Sequence, residues 1–236
     1  MKKNKKMSKK RKNVKDLMEK NDYEYFTSRK KKTQTILKEL ESHGIDKNKK
    51  IKVLEVGCNH GFITYHLANM TSWNMYGGDT NKEHLNKYPF IREKAKISYL
   101  DATKMHYKSN QFDVVIYNHV IEHIPEYKKT IDEIYRVLKK GGTLYLATPN
   151  LHRKFVRPRI LLSSKKNIPV SKRMNNHMGF SYDEITQMLK KFSEIKNINK
   201  KHFISNVSKT AGKILNKFSD NFHRKYAQTN VFIAIK

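Results

Sequence analysis

The chain has 236 residues, enough for one α/β domain, and its 50 Lys and Arg against 21 Asp and Glu give a formal net charge of +29. Residues 51–150 carry a net charge of only +3, against +11 for residues 1–50 and +15 for residues 151–236. Cys58 is the single cysteine, which excludes an intramolecular disulfide and gives no sign of an oxidising compartment. We therefore expect a charge-balanced core with strongly basic flanks, in a cytoplasmic protein.

The beginning of the chain is the most basic part. Nine of the residues from Lys2 to Lys15 are Lys or Arg and none is acidic, which predicts a disordered arm over residues 1–13. No apolar stretch follows this arm, so it lacks the pattern of a signal peptide. No run of about 18 apolar residues occurs, so we expect no transmembrane segment. The basic flanks favour RNA or an anionic membrane surface as a partner, although a lysine-rich genome would give the same composition.

The pattern after residue 13 predicts one helix and then strands that alternate with helices. Residues 14–43 are predicted to be helical, with Gly44 as the end. Further helices are predicted at about 62–70, 81–94 and 126–140. Short apolar runs that we interpret as strands lie at 51–56, 74–78, 95–100, 112–117 and 143–148. This alternation implies right-handed crossovers and a parallel sheet.

The last third of the chain begins with a basic stretch. Residues 151–180 show no clear periodicity, and connections of this length are usually functional or disordered. A helix is predicted at 181–191, because Ser181 and Glu184 have the spacing of a capping box. The apolar residues 229–235 are predicted to form a buried strand. Residues 14–236 would thus form one domain.

The segment Glu55–Gly61 follows the first strand and opens a helix, which is the context of a ligand-binding turn. Glycines in such a turn let the backbone bend sharply and approach a ligand closely. Asp79 and Asp101 close the second and third strands, at the sheet edge where α/β proteins bind ligands. A dinucleotide site has the same strand–turn–helix context. The third glycine of the dinucleotide pattern is absent, however, and Asn59 stands where a pyrophosphate would need close approach.

These blocks, in this order, resemble the class I S-adenosylmethionine-dependent methyltransferases over roughly residues 51–150. Glu55–Gly61 matches that family's acidic glycine-rich loop, with Asn59 in place of the middle glycine. Asp79 matches its ribose-binding acid, and Leu100-Asp101-Ala102 its adenine-binding turn. Residues 112–115 and 138–144 match its blocks at the fourth and fifth strands.

The resemblance implies a Rossmann-like class I methyltransferase fold of the α/β class. We expect a mostly parallel seven-stranded sheet with helices on both faces and a last antiparallel strand. Residues 51–150 would form the cofactor-binding core, and residues 151–182 a basic insertion that covers the methyl acceptor. The residues expected to bind S-adenosylmethionine are Glu55, Gly57, Cys58, Asn59, Gly61, Asp79, Thr80, Asp101, Ala102 and Asn118.

Two histidines and a carboxylate follow the fourth strand, and their spacing leaves two roles open. His119, Glu122 and His123 would share one face if this stretch turned helically, and could then hold a divalent metal. The segment resembles the quinone O-methyltransferases and the small-RNA 3′-end 2′-O-methyltransferases, which have a metal motif here. His177 lies where the RNA family supplies its last ligand. The alternative role is catalytic: His119 or His123 would remove a proton from the acceptor hydroxyl as a general base.

The sequence leaves several classes of methyl acceptor open. A small-molecule, glycan-linked or lipid-linked acceptor, modified on oxygen, is our first expectation, because no RNA-binding module or aromatic stacking platform is evident. The cations between residues 151 and 182 favour an anionic acceptor, since arginine suits bidentate contact with phosphate. A 2′-O RNA methyltransferase and a non-catalytic S-adenosylmethionine-binding protein are the alternatives.

Overall fold

The computed structural model describes residues 13–150, 179–199 and 229–236. In chain order the helices and strands are α1 (Lys20–Glu41), β1 (Lys52–Val56), α2 (Phe62–Met70), β2 (Asn74–Asp79), α3 (Lys82–Lys87), β3 (Lys96–Tyr99), β4 (Phe112–Asn118), α4 (Tyr127–Val137), β5 (Leu138–Pro149), α5 (Tyr182–Met188), β6 (Glu194–Asn197) and β7 (Thr229–Ile235). Short 3-10 helices lie at Val14–Leu17, Pro89–Glu93 and Ile121–His123. Most of the predicted basic arm, most of the predicted basic insertion, and His177 lie outside the described residues.

The strands form one seven-stranded sheet in the order β3-β2-β1-β4-β5-β7-β6. Strands β1 to β5 are parallel to one another, and β7 runs antiparallel between β5 and β6. The predicted α/β fold, its mostly parallel sheet and its antiparallel last strand are therefore confirmed. Six of these strands were predicted from the sequence; β6 was not, because it is short and nowhere fully buried.

Strand β4 lies at the centre of the sheet and is buried on both faces. Successive side chains of a strand point to opposite faces, and here Val114 and Ile116 join one apolar cluster while Val115 and Tyr117 join the other. The first cluster also contains apolar residues of α1, α2 and α3, and the second contains residues of α4 and α5. The helices thus cover both faces of the sheet, as predicted.

The chain reverses its direction of travel across the sheet between β1 and β4. From β1 the order runs outward through β2 to β3, and from β4 it runs the other way to β5. In open α/β sheets, ligands bind at such a switch point, outside the carboxyl ends of the strands. Val56 at the end of β1 lies opposite Tyr117 near the end of β4. The loops after these two strands are therefore the expected place for a binding site.

Two predicted helices are shorter than expected, for local reasons. The predicted helix at 81–94 is divided into α3 and a 3-10 helix that begins at Pro89. Proline disfavours the helical conformation of the residue before it, and Tyr88 has φ −126° and ψ 84°. The predicted helix at 126–140 ends at Val137, because Leu138 is extended (φ −69°, ψ 139°) and pairs with Phe112 in the sheet.

The first and last of the predicted helices are confirmed with adjusted bounds. The predicted helix at 14–43 becomes a 3-10 helix and α1, which are separated by extended backbone at Met18. Gly44 has φ +87°, as expected after a helix end. The capping box is confirmed at α5, where Glu184 N–H donates to Ser181 Oγ and Ser181 N–H donates to Glu184 Oε2. Within the described ranges, no helix is long and apolar enough to cross a membrane.

Candidate active site

The loop after β1 turns back on β2 through its first glycine. The N–H groups of Gly57 and Cys58 both donate to Gly78 O, at 2.8 and 3.0 Å. Gly57 has φ +72°, and a Cβ there would lie 2.3 Å from Cγ2 of Val120. Only glycine fits such a position, because the backbone is left-handed and the neighbouring loop lies against it. The predicted tight turn at Gly57 is confirmed.

Asn59 stands where the family pattern has a glycine, and it takes the same kind of backbone conformation. Its φ is +52°, a region that asparagine enters more readily than most residues. Its N–H donates to Asp79 Oδ2 at 2.8 Å, while Asp79 Oδ1 accepts from Asn81 N–H at 2.9 Å. Asp79 therefore holds the loop after β1 against the end of β2. The side-chain oxygen of Asn59 is buried and has no hydrogen-bond partner among the described residues.

Glu55 is a carboxyl group buried beneath this loop. It is 3% exposed, and Thr64 Oγ1 of α2 donates a hydrogen bond to its Oε2. Burial raises the pKa of Glu55 from its usual 4.5 to about 8, although the hydrogen bonds from Thr64 oppose this shift. Near neutral pH the group is therefore mostly protonated in the free protein.

A pocket opens above the carboxyl ends of β1 and β4. Its empty volume is about 590 Å³, part of it open to solvent. Its walls come from the loop after β1, the end of β4 and one side of α1; they are formed by Tyr25, Arg29, Glu55, Gly57, Cys58, Asn59, His60, Phe62, Ile63, Asn118 and His119. Six of these residues were expected at a site from the sequence. The side-chain oxygen of Asn118 is buried without a partner in the described parts of the chain.

Helix α1 forms one wall of the pocket and contacts α2 and α3 at several points. Near its beginning, Asp22 Oδ2 accepts hydrogen bonds from Lys87 Nζ, at 2.7 Å, and from the Tyr88 hydroxyl. These bonds lower the pKa of Asp22. Farther along, Phe26 O lies 3.0 Å from His66 Nε2 of α2, and its ring meets that of Phe62 edge-on. Tyr25 and Arg29 are thereby held over the pocket.

His119 and Glu122 form a contact at the rim of the pocket. His119 Nδ1 lies 3.3 Å from Glu122 Oε1, and the other carboxylate oxygen, Oε2, accepts a hydrogen bond from Thr148 Oγ1 at 3.2 Å. The Glu122 side chain is 4% exposed and that of His119 is 36% exposed. Glu122 is thus fixed from β5, while His119 lines the pocket.

The helical turn that would place His119, Glu122 and His123 on one face is not formed. His119 has φ +56° and its N–H donates to Ala147 O, so it lies outside the 3-10 helix Ile121–His123. His123 is exposed, and no three potential ligands among the described residues are grouped to hold a metal ion. Since His177 lies outside the described residues, the metal set stays a prediction that the described residues do not support.

The remaining predicted cofactor residues lie farther along the same sheet edge. Asp101 and Ala102 follow β3, next to Thr80 after β2, and none of the three lines the pocket. Asp101 Oδ1 accepts hydrogen bonds from the Thr103 side chain and backbone, which lower the pKa of Asp101. Leu100 N–H donates to Asp79 O at 3.0 Å, which joins the ends of β2 and β3. Some of the predicted cofactor residues therefore line the pocket, and the others lie along the adjoining edge of the sheet.

Five pocket residues were not identified from the sequence. Tyr25 and Arg29 lie in a helix that is remote from the loop in sequence, and no local pattern connects them to it. His60, Phe62 and Ile63 are within or next to the loop Glu55–Gly61. Their place at the start of α2, directly after the loop, was the signal that could have identified them.

Several known proteins are similar to this chain in sequence. A family model described as a methyltransferase domain matches residues 47–202. The ubiquinone biosynthesis O-methyltransferase of Rickettsia canadensis is 30% identical over 196 residues, which cover 81% of this chain and 80% of that protein. The protein of the same name from Pelagibacter ubique is 29% identical over 121 residues, half of each chain. This chain thus matches only half the length of that second relative.

The fold is also that of solved methyltransferases. Phosphoethanolamine N-methyltransferase 2 of Haemonchus contortus, solved with phosphomonomethylethanolamine and S-adenosylhomocysteine, aligns with a TM-score of 0.61. The two chains are 21% identical, and the alignment covers 87% of this chain and 52% of that one. At this level of identity, the similarity shows a shared fold alone. With the family model, the relatives, the sheet order and the loop after β1 in agreement, the chain belongs to the class I S-adenosylmethionine-dependent methyltransferase family.

Proposed function

We propose that this protein transfers a methyl group from S-adenosylmethionine to an oxygen of its acceptor, with His119 as the general base. One observation carries the proposal: His119 lines the pocket, and its Nδ1 lies 3.3 Å from the buried carboxylate of Glu122. A pair of this kind orients an imidazole and prepares it to accept a proton.

The residues at the switch point fit the family's cofactor. Asp79 and Asp101 offer acceptor oxygens at the ends of β2 and β3, where the ribose and the adenine would lie. The methionine end would then enter the pocket between Gly57 and Asn118, where two amide oxygens lack partners in the described structure. When bound, the cofactor supplies a methyl group on a positively charged sulfur, which is left as a neutral thioether once the methyl group is transferred.

The His119 imidazole would take the proton that the acceptor hydroxyl loses. With its Nδ1–H donating to Glu122, the other ring nitrogen, Nε2, has a free lone pair and acts as the acceptor of that proton. Glu122 is held by Thr148, so the ring orientation is fixed from the sheet rather than from a loop. The role of Glu122 is to position His119.

The acceptor we propose is a small or lipid- or glycan-linked molecule with an anionic group. The ubiquinone biosynthesis O-methyltransferases among the relatives support oxygen as the methylated atom. The sequence between residues 151 and 178 supports the anionic group; its cations are Arg153, Lys154, Arg157, Arg159, Lys165, Lys166, Lys172 and Arg173. They lie outside the described residues, and their part in the site is an inference from the sequence.

Methyl transfer from radiolabelled S-adenosylmethionine tests the proposal. The acceptor panel contains polyhydroxylated aromatics, phosphorylated sugars, phospholipid vesicles and short single-stranded RNA. We expect label on an oxygen of a non-RNA acceptor, and His119→Ala should lower kcat by about 10²- to 10⁴-fold. His43→Ala, in the turn after α1, is the matched control. Label on nitrogen or carbon, with His119→Ala unaffected, would contradict the proposal.

RNA is the second candidate acceptor, and the net charge of +29 favours it. Retention on RNA alone is weak support, because a basic arm binds phosphates without catalysis. Label in the RNA fraction, at a 2′-oxygen, would establish this candidate over the first. Binding of S-adenosylhomocysteine with no transfer to any acceptor would instead favour a non-catalytic binding protein.

A further inference from the structure

Two charged side chains near the end of α4 bind the backbone of the segment that joins β3 to β4. Glu133 Oε2 accepts a hydrogen bond from Met105 N–H at 2.6 Å. Arg136 donates from Nη2 to Met105 O at 3.0 Å and from Nη1 to Tyr107 O at 2.8 Å. The two side chains therefore satisfy both backbone groups of Met105 and the carbonyl of Tyr107.

The same two side chains also bind each other, and we call them the Arg136/Glu133 pair. Arg136 Nε donates to Glu133 Oε1 at 2.7 Å, and Nη2 donates to Glu133 Oε2 at 2.8 Å. These hydrogen bonds raise the pKa of Arg136 and lower that of Glu133, so both groups are charged near neutral pH. Two-point hydrogen bonds between arginine and a carboxylate are strong and fix the orientation of both groups. The pair is therefore a rigid support for the segment.

The supported segment begins with the turn at Asp101, four residues before Met105. On the other side of this turn, Leu100 N–H donates to Asp79 O at the end of β2, at 3.0 Å. Within the turn, Thr103 N–H and the Thr103 hydroxyl both donate to Asp101 Oδ1, at 2.8 and 2.7 Å. The other carboxylate oxygen, Oδ2, accepts no hydrogen bond from a described residue. The turn is thus held from β2 and from α4, with one oxygen available to a ligand.

We propose that the Arg136/Glu133 pair positions the turn at Asp101 so that the protein distinguishes adenine from other purine bases. The inference rests on the proposed function, because it takes S-adenosylmethionine as the ligand, with its base at Asp101. Adenine donates a hydrogen bond from its amino group, whereas hypoxanthine has a carbonyl oxygen at the same place. A carboxylate accepts from the first base and repels the second. This selection requires that the carboxylate stay in place to within about 0.5 Å. Both members of the pair act through backbone groups, so they are positioning residues.

Calorimetric titration with two ligands tests this role without any need for turnover. S-Adenosylhomocysteine carries adenine, and S-inosylhomocysteine differs from it only in carrying hypoxanthine. We expect the unaltered protein to bind S-adenosylhomocysteine about 10- to 100-fold more tightly, because a hydrogen bond to a charged group separates the two ligands. Arg136→Met should reduce this preference to less than about threefold, mainly by raising the Kd of S-adenosylhomocysteine.

Further variants separate positioning from a general loss of stability, and they carry the test if Arg136→Met does not fold. Arg136→Lys keeps a cation that cannot bridge a carboxylate and two carbonyls, so its preference for adenine should be intermediate. Glu133→Ala should lower the preference, whereas Glu133→Gln keeps an oxygen for Met105 N–H and should retain part of it. Lys129→Met is the matched control, because Lys129 forms an exposed ion pair with Glu126 at the beginning of the same helix. It should change neither Kd.

Each other outcome overturns the inference in a recognisable way. Equal weakening of both ligands by the variants at Arg136 and Glu133, with the preference unchanged, would mean that the pair supports the fold alone. Unchanged Kd values for both ligands would mean that the turn at Asp101 keeps its place without the pair. Equal affinity of the unaltered protein for both ligands would show that Asp101 does not select the base. Failure of the unaltered protein to bind either ligand would remove the proposed function itself, and that result does not depend on Arg136.

Discussion

Gly57 offers a test of the loop geometry with a matched control in the same chain. Gly57 and Gly141 have nearly the same left-handed backbone, with φ +72° and +73°. A Cβ at Gly57 would lie 2.3 Å from Cγ2 of Val120, whereas a Cβ at Gly141 would meet nothing within 4 Å. Alanine at either position costs about 1–2 kcal/mol of backbone strain. The clash at Gly57 adds about 1–3 kcal/mol, as overpacking usually does.

We therefore expect Gly57→Ala to lower the free energy of unfolding by about 2–5 kcal/mol, and Gly141→Ala by about 1–2 kcal/mol. Denaturant titration followed by circular dichroism measures both. Adding Val120→Ala to Gly57→Ala removes the two closest contacts, which are those with Cγ1 and Cγ2, and should recover most of the difference. Equal losses for the two glycine variants, or no recovery in the double variant, would refute the packing of Val120 on the loop after β1.

Two further predictions concern burial and capping. The folded protein keeps the Glu55 proton over a pH range where the unfolded chain loses it, so stability should fall as pH rises from about 4.5 to about 8. Each tenfold change in proton affinity is worth about 1.4 kcal/mol, so the loss of unfolding free energy is at most about 5 kcal/mol. Glu55→Gln should abolish this decline in a series of thermal melts from pH 5 to pH 9. An unchanged decline in the variant would mean that another group causes it. Ser181→Ala removes the side-chain cap of α5 and should lower the free energy of unfolding by about 1 kcal/mol. The affinity for S-adenosylhomocysteine should stay the same. A loss of affinity would show that α5 contributes to the cofactor site.

The features that the sequence predicted correctly depend on local pattern. Glu55–Gly61 could be identified as the turn between β1 and α2, because a strand, glycines and a helix follow one another there. Asp79 could be placed at the end of β2, because it closes the next apolar run. The end of α4 was predicted three residues too late. The helix ends where it does because Leu138 pairs with Phe112 in the sheet, and that contact, 26 residues away in sequence, leaves no trace in the helical pattern.

The walls of the pocket could not be predicted in the same way. Arg29 reaches the site because α1 packs across α2 and the loop after β1, and nothing near it in sequence indicates that packing. The relation of His119 to Glu122 was expected from a helical turn, but it arises from left-handed backbone at His119 and from Thr148 on β5. Both depend on tertiary contacts, so they required the structure.

In the proposed function, the loop after β1 and the adjoining ends of β2, β3 and β4 hold S-adenosylmethionine. A crystal structure of the protein with S-adenosylhomocysteine tests this most directly. We expect one ligand per chain, with its ribose hydroxyls at Asp79, its adenine beside Asp101 and Ala102, and its amino-acid end in the pocket after β1. A ligand bound elsewhere, or none at a concentration that saturates related enzymes, would contradict it.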